Sequence, residues 1–171
     1  MRVGILTVSD RSASGERADA SGPAIRQAIE RRGWQVSRVD VVADEQAEIE
    51  RQLINWADAG AVDIILTVGG TGFAPRDRTP EATQAVIERN APGLPEAMRE
   101  ASLEKNPHAM LSRAVAGIRG RTLIINLPGS PKAAVENLEV VLAVLPHAVD
   151  LLQESPRAEG GHRPQPRRGH A

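Results

Sequence analysis

The chain has no cysteine and no tyrosine, and its only aromatic residues are Trp34, Trp56 and Phe73. The missing cysteine excludes disulfides, thiolate metal sites and cysteine nucleophiles, and it fits a reducing compartment. Three aromatics are too few for the base-stacking platforms of RNA readers, so the core has to be aliphatic. Neither sign of charge prevails: 21 Lys and Arg stand against 22 Asp and Glu, a formal net charge of −1. That balance gives no field that would draw nucleic acid or an anionic membrane. No apolar run reaches the roughly 18 residues of a membrane span. The start, MRVGILTVSD, lacks the charged region, long apolar stretch and small-residue cleavage site of a signal peptide. Cytoplasm is the expected location, with no nucleic acid and no membrane as partner.

What is present suits one domain. A chain of 171 residues, 41% apolar and 25% charged, is ordinary for a globular protein. Val3 to Val8 and Thr122 to Leu127 read as buried strands, and so does Asp63 to Val68. Trp34 to Val42 alternates apolar and polar residues with one change of phase, as a strand near an edge would. Helices are expected from Gly22-Pro23, after Asp44, from Thr79-Pro80, over Leu94 to Lys105, and from Lys132 to about Leu152 with a kink or break at Pro146. Met110 to Ile118 is open between helix and strand. Strands alternating with helices imply an α/β fold, a mostly parallel sheet between helical layers. Such sheets bind ligands beyond the carboxyl ends of their strands. Three polar or Gly/Pro loops belong there: Ser9 to Gly22, Gly69 to Thr79 and Pro128 to Lys132. Residues 1–154 form the expected domain. Residues 155–171 carry four Arg, one Glu, three Pro and three Gly, and they read as a disordered tail.

The richest motif is GGTGFAPRDRTPEAT, from Gly69 to Thr83. It is not a dinucleotide fingerprint, since Pro75 stands where the last small residue belongs, and it lacks a Walker Gly-Lys-Ser/Thr ending. Gly69, Gly70, Thr71 and Gly72 still offer backbone N–H groups that can approach an anion. Arg76 and Arg78 are either phosphate clamps or solvated loop residues. Asp77 is either a turn residue that accepts local hydrogen bonds or a Mg²⁺ ligand beside phosphates. Asp44 is fully explained as a helix cap, though it lies at a strand's carboxyl end. Ser9, Asp10 and Arg11 end the first strand in a similar way. Ser130 reads as a helix cap, and a helix start is also an anion site. Phe73 either packs under the loop or stacks on a ligand ring. No Gly-x-Ser-x-Gly elbow and no His-rich zinc motif occurs.

Six motifs occur in order: VSDRSASGERADASGP (8–23), DEQAEIE (44–50), GGTGFAPRDRTPEAT (69–83), PGLPEAMR (92–99), LSRAVAGIRG (111–120) and NLPGSPKA (126–133). On these the chain, over about residues 2 to 153, resembles the MogA/MoaB-like molybdopterin adenylyltransferases of molybdenum cofactor biosynthesis. The resemblance implies a three-layer α/β/α domain, usually a homotrimer. It also implies adenylylation of molybdopterin with MgATP, giving pyrophosphate, before hand-over to a molybdenum-insertion protein. Asp77 matches the family's catalytic aspartate and its Mg²⁺ ligand, and Asp44 a second active-site aspartate. Gly69, Gly70, Thr71 and Gly72 match the nucleotide-phosphate loop. Ser9, Asp10 and Arg11, with Pro128, Gly129 and Ser130, match other pocket segments. The alternative within the family is a non-catalytic molybdopterin-binding or carrier protein.

Overall fold

A computed structural model describes residues 1–156. The expected tail lies outside the described residues, except for Ser155 and Pro156. Strands run over β1 (Arg2–Val8), β2 (Gln35–Val42), β3 (Ile64–Val68), β4 (Arg89–Asn90), β5 (Ala116–Arg119) and β6 (Thr122–Leu127). They form one sheet in the order β2-β1-β3-β6-β5-β4. The first four strands in that order are parallel, and β5 runs against β6 and β4. The helices are α1 (Asp10–Ala13), α2 (Ser21–Glu30), α3 (Gln46–Asp58), α4 (Thr79–Val86), α5 (Gly93–Leu103), α6 (Pro131–Val141) and α7 (Leu145–Leu152), with a 3-10 turn at Pro107–Leu111.

The aliphatic core follows from the period of two along each strand. Val3 and Ile5, Ile64 and Leu66, and Leu123 and Ile125 point to one face, where α2, α5, α6 and α7 cover them. Leu6, Ile65 and Ile124 point to the other, under α3 and α4. Three layers result, because strands apolar on both faces need a helical cover on each. Gly4 belongs to the second face, and a Cβ there would come within 2.8 Å of the Trp56 ring. The bare backbone is what admits one of the two tryptophans.

Several elements depart from the sequence expectations for local reasons. The phase change in β2 is a bulge: Val3 pairs with Val36 and Gly4 with Arg38, so Ser37 is skipped. β2 is an edge strand, as its alternation implied. The expected last helix is two helices, α6 and α7, and Pro146 sits in the first turn of α7, where its missing N–H costs nothing. The ambiguous stretch from Met110 to Ile118 divides into the end of the 3-10 turn and strand β5. α4 begins at Thr79, as Thr79-Pro80 implied, and Arg78 holds the cap position without a side-chain bond. No described helix is long and apolar enough to cross a membrane.

Candidate active site

β1 leads outward to β2 on one side, whereas β3 lies on its other side. A crevice opens where the strand order reverses in this way. The loops after β1, β3 and β6 meet there. Gly69, at the end of β3, has φ +109°, and a Cβ on it would stand 2.3 Å from the Val8 carbonyl oxygen at the end of β1. The Gly69 N–H donates to the Leu127 carbonyl at 3.1 Å. A Cβ on Gly129 would lie 3.3 Å from the Gly69 Cα. The three loops are thus in backbone contact at a glycine.

Two lobes open around this junction. One, of about 580 Å³, is lined by Ser9, Asp10, Arg11, Asp44, Gly69, Ser130 and neighbouring residues. The other, of about 450 Å³, is lined by Thr71, Gly72, Pro128, Arg99, Lys105, Asn137 and others. Gly70, Asp77 and Gly129 belong to both. All twelve sequence-predicted site residues therefore line one lobe or the other.

Asp10 and Asp44 lock the ends of β1 and β2 together. The Asp10 N–H donates to Asp44 Oδ2 at 2.8 Å, and the Asp44 N–H donates to Asp10 Oδ1 at 2.9 Å. Asp44 is therefore not a helix cap; Glu45 occupies that position in α3. Burial pushes the Asp44 carboxyl above the ordinary carboxylate value, and the charges of Asp10 and Asp77 add to this against the Asp10 N–H bond and Arg76. Arg76 grips Asp10 with two nitrogens, at 3.0 and 2.8 Å, and Glu45 with a third at 2.7 Å. That fork, and then the Asp44 N–H, hold the Asp10 carboxyl below its usual range. Arg76 is thus an exposed strut between loops, already paired with two carboxylates. Arg78 is exposed and holds no place in either lobe. Asp77 Oδ2 accepts the Ala74 N–H at 3.0 Å. This local turn bond, the first of the two readings of Asp77, coexists with a place in both lobes.

Other parts went unread in the sequence. Arg113 donates to the carbonyls of Gly72 (2.7 Å) and Asp77 (2.8 Å) and pairs with Glu81. Asp19 accepts the Ser21 and Gly22 N–H groups at 2.9 and 3.1 Å, so it caps α2, and it takes the Thr7 hydroxyl at 2.7 Å. The Ser21 hydroxyl donates to the Gly129 carbonyl at 2.7 Å. The Thr7 and Gly129 contacts span 12 and 108 positions of sequence, beyond the reach of local pattern. Phe73 is 67% exposed and lines neither lobe, so it does not pack under the loop. The Thr79 hydroxyl, instead of capping, donates to the Gly69 carbonyl at 2.8 Å.

Among the described residues no three His, Cys, Asp or Glu side chains group as a ready metal cage. Mg²⁺ typically needs one or two carboxylates and completes its shell with water and substrate phosphates. Asp77, with Asp44 close enough to feel its charge, fits that requirement.

Residues 4–147 match the family model described as "Probable molybdopterin binding domain". The chain belongs to this family. Its relatives include a molybdopterin adenylyltransferase of Helicobacter pylori, 44% identical over 156 residues, which cover 89% of this chain and 88% of that one. Gephyrin of Dictyostelium discoideum is 45% identical over 166 residues, covering 91% of this chain but 23% of gephyrin. The chain thus spans about a quarter of that relative. The crystal structure of the molybdopterin biosynthesis enzyme MoaB from Thermus thermophilus superposes with a TM-score of 0.85 at 55% identity, covering 91% of this chain and 98% of that one. The fold is therefore the MogA/MoaB-like three-layer domain, and the chain is a molybdenum cofactor biosynthesis protein.

Proposed function

We propose that this chain is a molybdopterin adenylyltransferase, joining the terminal phosphate of molybdopterin to the adenylyl group of ATP with release of pyrophosphate. The observation that carries the reading is the pair of lobes sharing one wall, Gly70, Asp77 and Gly129. A reaction between two substrates needs two compartments whose reacting groups meet at a common boundary. That boundary here is bare backbone plus one carboxylate. A phosphate oxygen of molybdopterin attacks the α-phosphorus of ATP, and the bond from that phosphorus to the bridging oxygen of the β-phosphate breaks. A phosphate is already an anionic nucleophile, so no base is required of the protein. The glycine loop and the start of α6 present N–H groups to the phosphates. Asp77 and Asp44 are the residues that would hold Mg²⁺, which neutralises phosphate charge when bound. Arg76, paired with Asp10 and Glu45, keeps the loop that carries Asp77 against the end of β1. The homotrimer, the cytoplasmic location and the hand-over to a molybdenum-insertion protein belong to the same proposal and rest on family membership.

The test is pyrophosphate release from purified protein given molybdopterin and MgATP. Wild type should release it, and Asp77→Asn should retain the native circular dichroism while losing about 100-fold or more of the rate. Wild-type protein that binds molybdopterin without releasing pyrophosphate would make the chain a carrier. Near-wild-type turnover by Asp77→Asn would remove the assigned role of Asp77.

A further inference from the structure

The loop from Thr71 to Arg78 is largely exposed between its ends, and it carries Asp77 into both lobes. A loop of this kind needs an external fixture if a carboxylate on it is to hold one position. Its internal bonds are few. Ala74 N–H reaches Asp77 Oδ2, and Asp77 N–H reaches the Ala74 carbonyl at 2.9 Å. These close the turn on itself but do not fix the turn to the domain.

On its exposed side Arg76 ties the loop to Asp10 and Glu45, and a second fixture comes from the segment between the 3-10 turn and β5. The Arg113 N–H donates to the Thr71 carbonyl at 2.9 Å. Its Nε donates to the Gly72 carbonyl at 2.7 Å, and its Nη2 to the Asp77 carbonyl at 2.8 Å. Its Nη1 meets Glu81 Oε1 in the first turn of α4. One side chain thus spans the loop's beginning, the backbone of Asp77 and the helix that follows. Glu81 Oε2 is buried with no hydrogen-bond partner, while the half-buried side chain pairs with Arg113 through its other oxygen. A planar guanidinium with five donors can serve three acceptors in different directions, which an ammonium on a flexible stem cannot do in the same geometry. Arg113 lines neither lobe, so this arrangement acts on the loop and not on a ligand.

We propose that Arg113 is a positioning residue of the site: it fixes the backbone of Gly72 and Asp77 so that the Asp77 carboxylate stands at the boundary between the lobes. Its kinetic consequence rests on the adenylyltransferase reading, whereas its structural consequence does not. Displacement of a reacting group by about 1 Å costs on the order of 100-fold in rate. Arg113→Ala should therefore lower kcat by about 10- to 100-fold and leave KM for ATP within about threefold.

Amide hydrogen exchange supplies the readout that does not depend on turnover. In Arg113→Ala the Ala74 and Asp77 amides should exchange at least about tenfold faster, while the Ile65 and Leu66 amides of β3 keep their protection. A second readout is coupling. If Arg113 acts through Asp77, the double variant Arg113→Ala/Asp77→Asn should turn over no more slowly than Asp77→Asn alone, whereas an independent role would multiply the two losses. Should Arg113→Ala fail to fold, Arg113→Lys keeps a charge near Glu81 but loses the fork, and it should show the same loosening of the loop amides. Unchanged loop exchange in a folded Arg113 variant overturns the proposal, and so does a multiplicative loss in the double variant. Loosened loop amides in a protein whose wild type releases no pyrophosphate would keep the positioning role and remove the adenylyltransferase reading.

Discussion

Gly69 carries a constraint that no other residue type satisfies. Its φ of +109° is a conformation that a side chain strains against, and the space where a Cβ would go holds the Val8 carbonyl oxygen. The close approach is also what brings the ends of β1, β3 and β6 together, because the Gly69 N–H reaches the Leu127 carbonyl. Gly69→Ala should destabilise the protein by about 2–3 kcal/mol from backbone strain and overlap. The urea midpoint should fall without a change in slope, since the unfolded state is nearly the same. A midpoint equal to wild type would mean that the three loops can separate freely. The glycine itself was legible in the sequence as part of a ligand loop. Its second task, making room for another loop's backbone, was not, because Val8 and Leu127 are distant in the chain.

At the scale of elements, the strands were legible where side chains report burial on both faces. Thr122 to Leu127 is apolar at nearly every position, and β6 covers those same residues. β4 was illegible because it has two exposed residues, Arg89 and Asn90, and exists only through pairing with β5. The break between α6 and α7 was half legible, as Pro146 marks a helix start that reads equally as a kink. Asn126 shows the limit most clearly. Its place in a buried strand was legible, and it is wholly buried in β6, but its partners were not legible. Its Nδ2 donates to the hydroxyls of Thr67 in β3 (2.9 Å) and Thr83 in α4 (2.8 Å), and its Oδ1 accepts the Val115 N–H at 3.1 Å. One amide therefore ties two strands, a helix and the segment entering β5 directly beneath the site. Removing it takes a partner from the half-buried Val115 N–H and a donor from two buried hydroxyls, and each such loss costs free energy. Asn126→Ala should lower stability by about 2–4 kcal/mol in chemical denaturation. A loss below about 0.5 kcal/mol would show that the network is not what joins these elements.

For the molecule as a whole, ionisation sets Asp44 against the other shifted carboxylates. Burial alone would raise the Asp63 carboxyl, but hydrogen bonds from the Arg2 side chain and backbone, at 2.7 Å each, outweigh it and leave the group depressed. Glu81 follows the same pattern, its burial outweighed chiefly by the bond from Arg113, and Asp10 is depressed by Arg76. A depressed carboxylate stabilises the fold fully above its unfolded value, about 3.9 for Asp, and that stabilisation is lost as pH falls through the lower folded value. Asp44 has the opposite sign. Its folded value is raised, so its contribution is favourable when protonated and is lost as pH rises through that value. Two titrations separate these effects. Asp63→Asn should flatten the acid limb of stability below about pH 4, because the group that protonates there has gone. Asp44→Asn keeps an oxygen for the Asp10 N–H and removes a half-buried charge facing Asp10 and Asp77. It should raise the thermal midpoint at about pH 7 by a few degrees, with the gain shrinking toward acid as wild-type Asp44 takes up its proton. An Asp44→Asn protein less stable than wild type near neutral pH would contradict this sign. Under the proposed function the cost of keeping Asp44 ionised has a use: a Mg²⁺ ion held by Asp44 and Asp77 would offset the charge on binding.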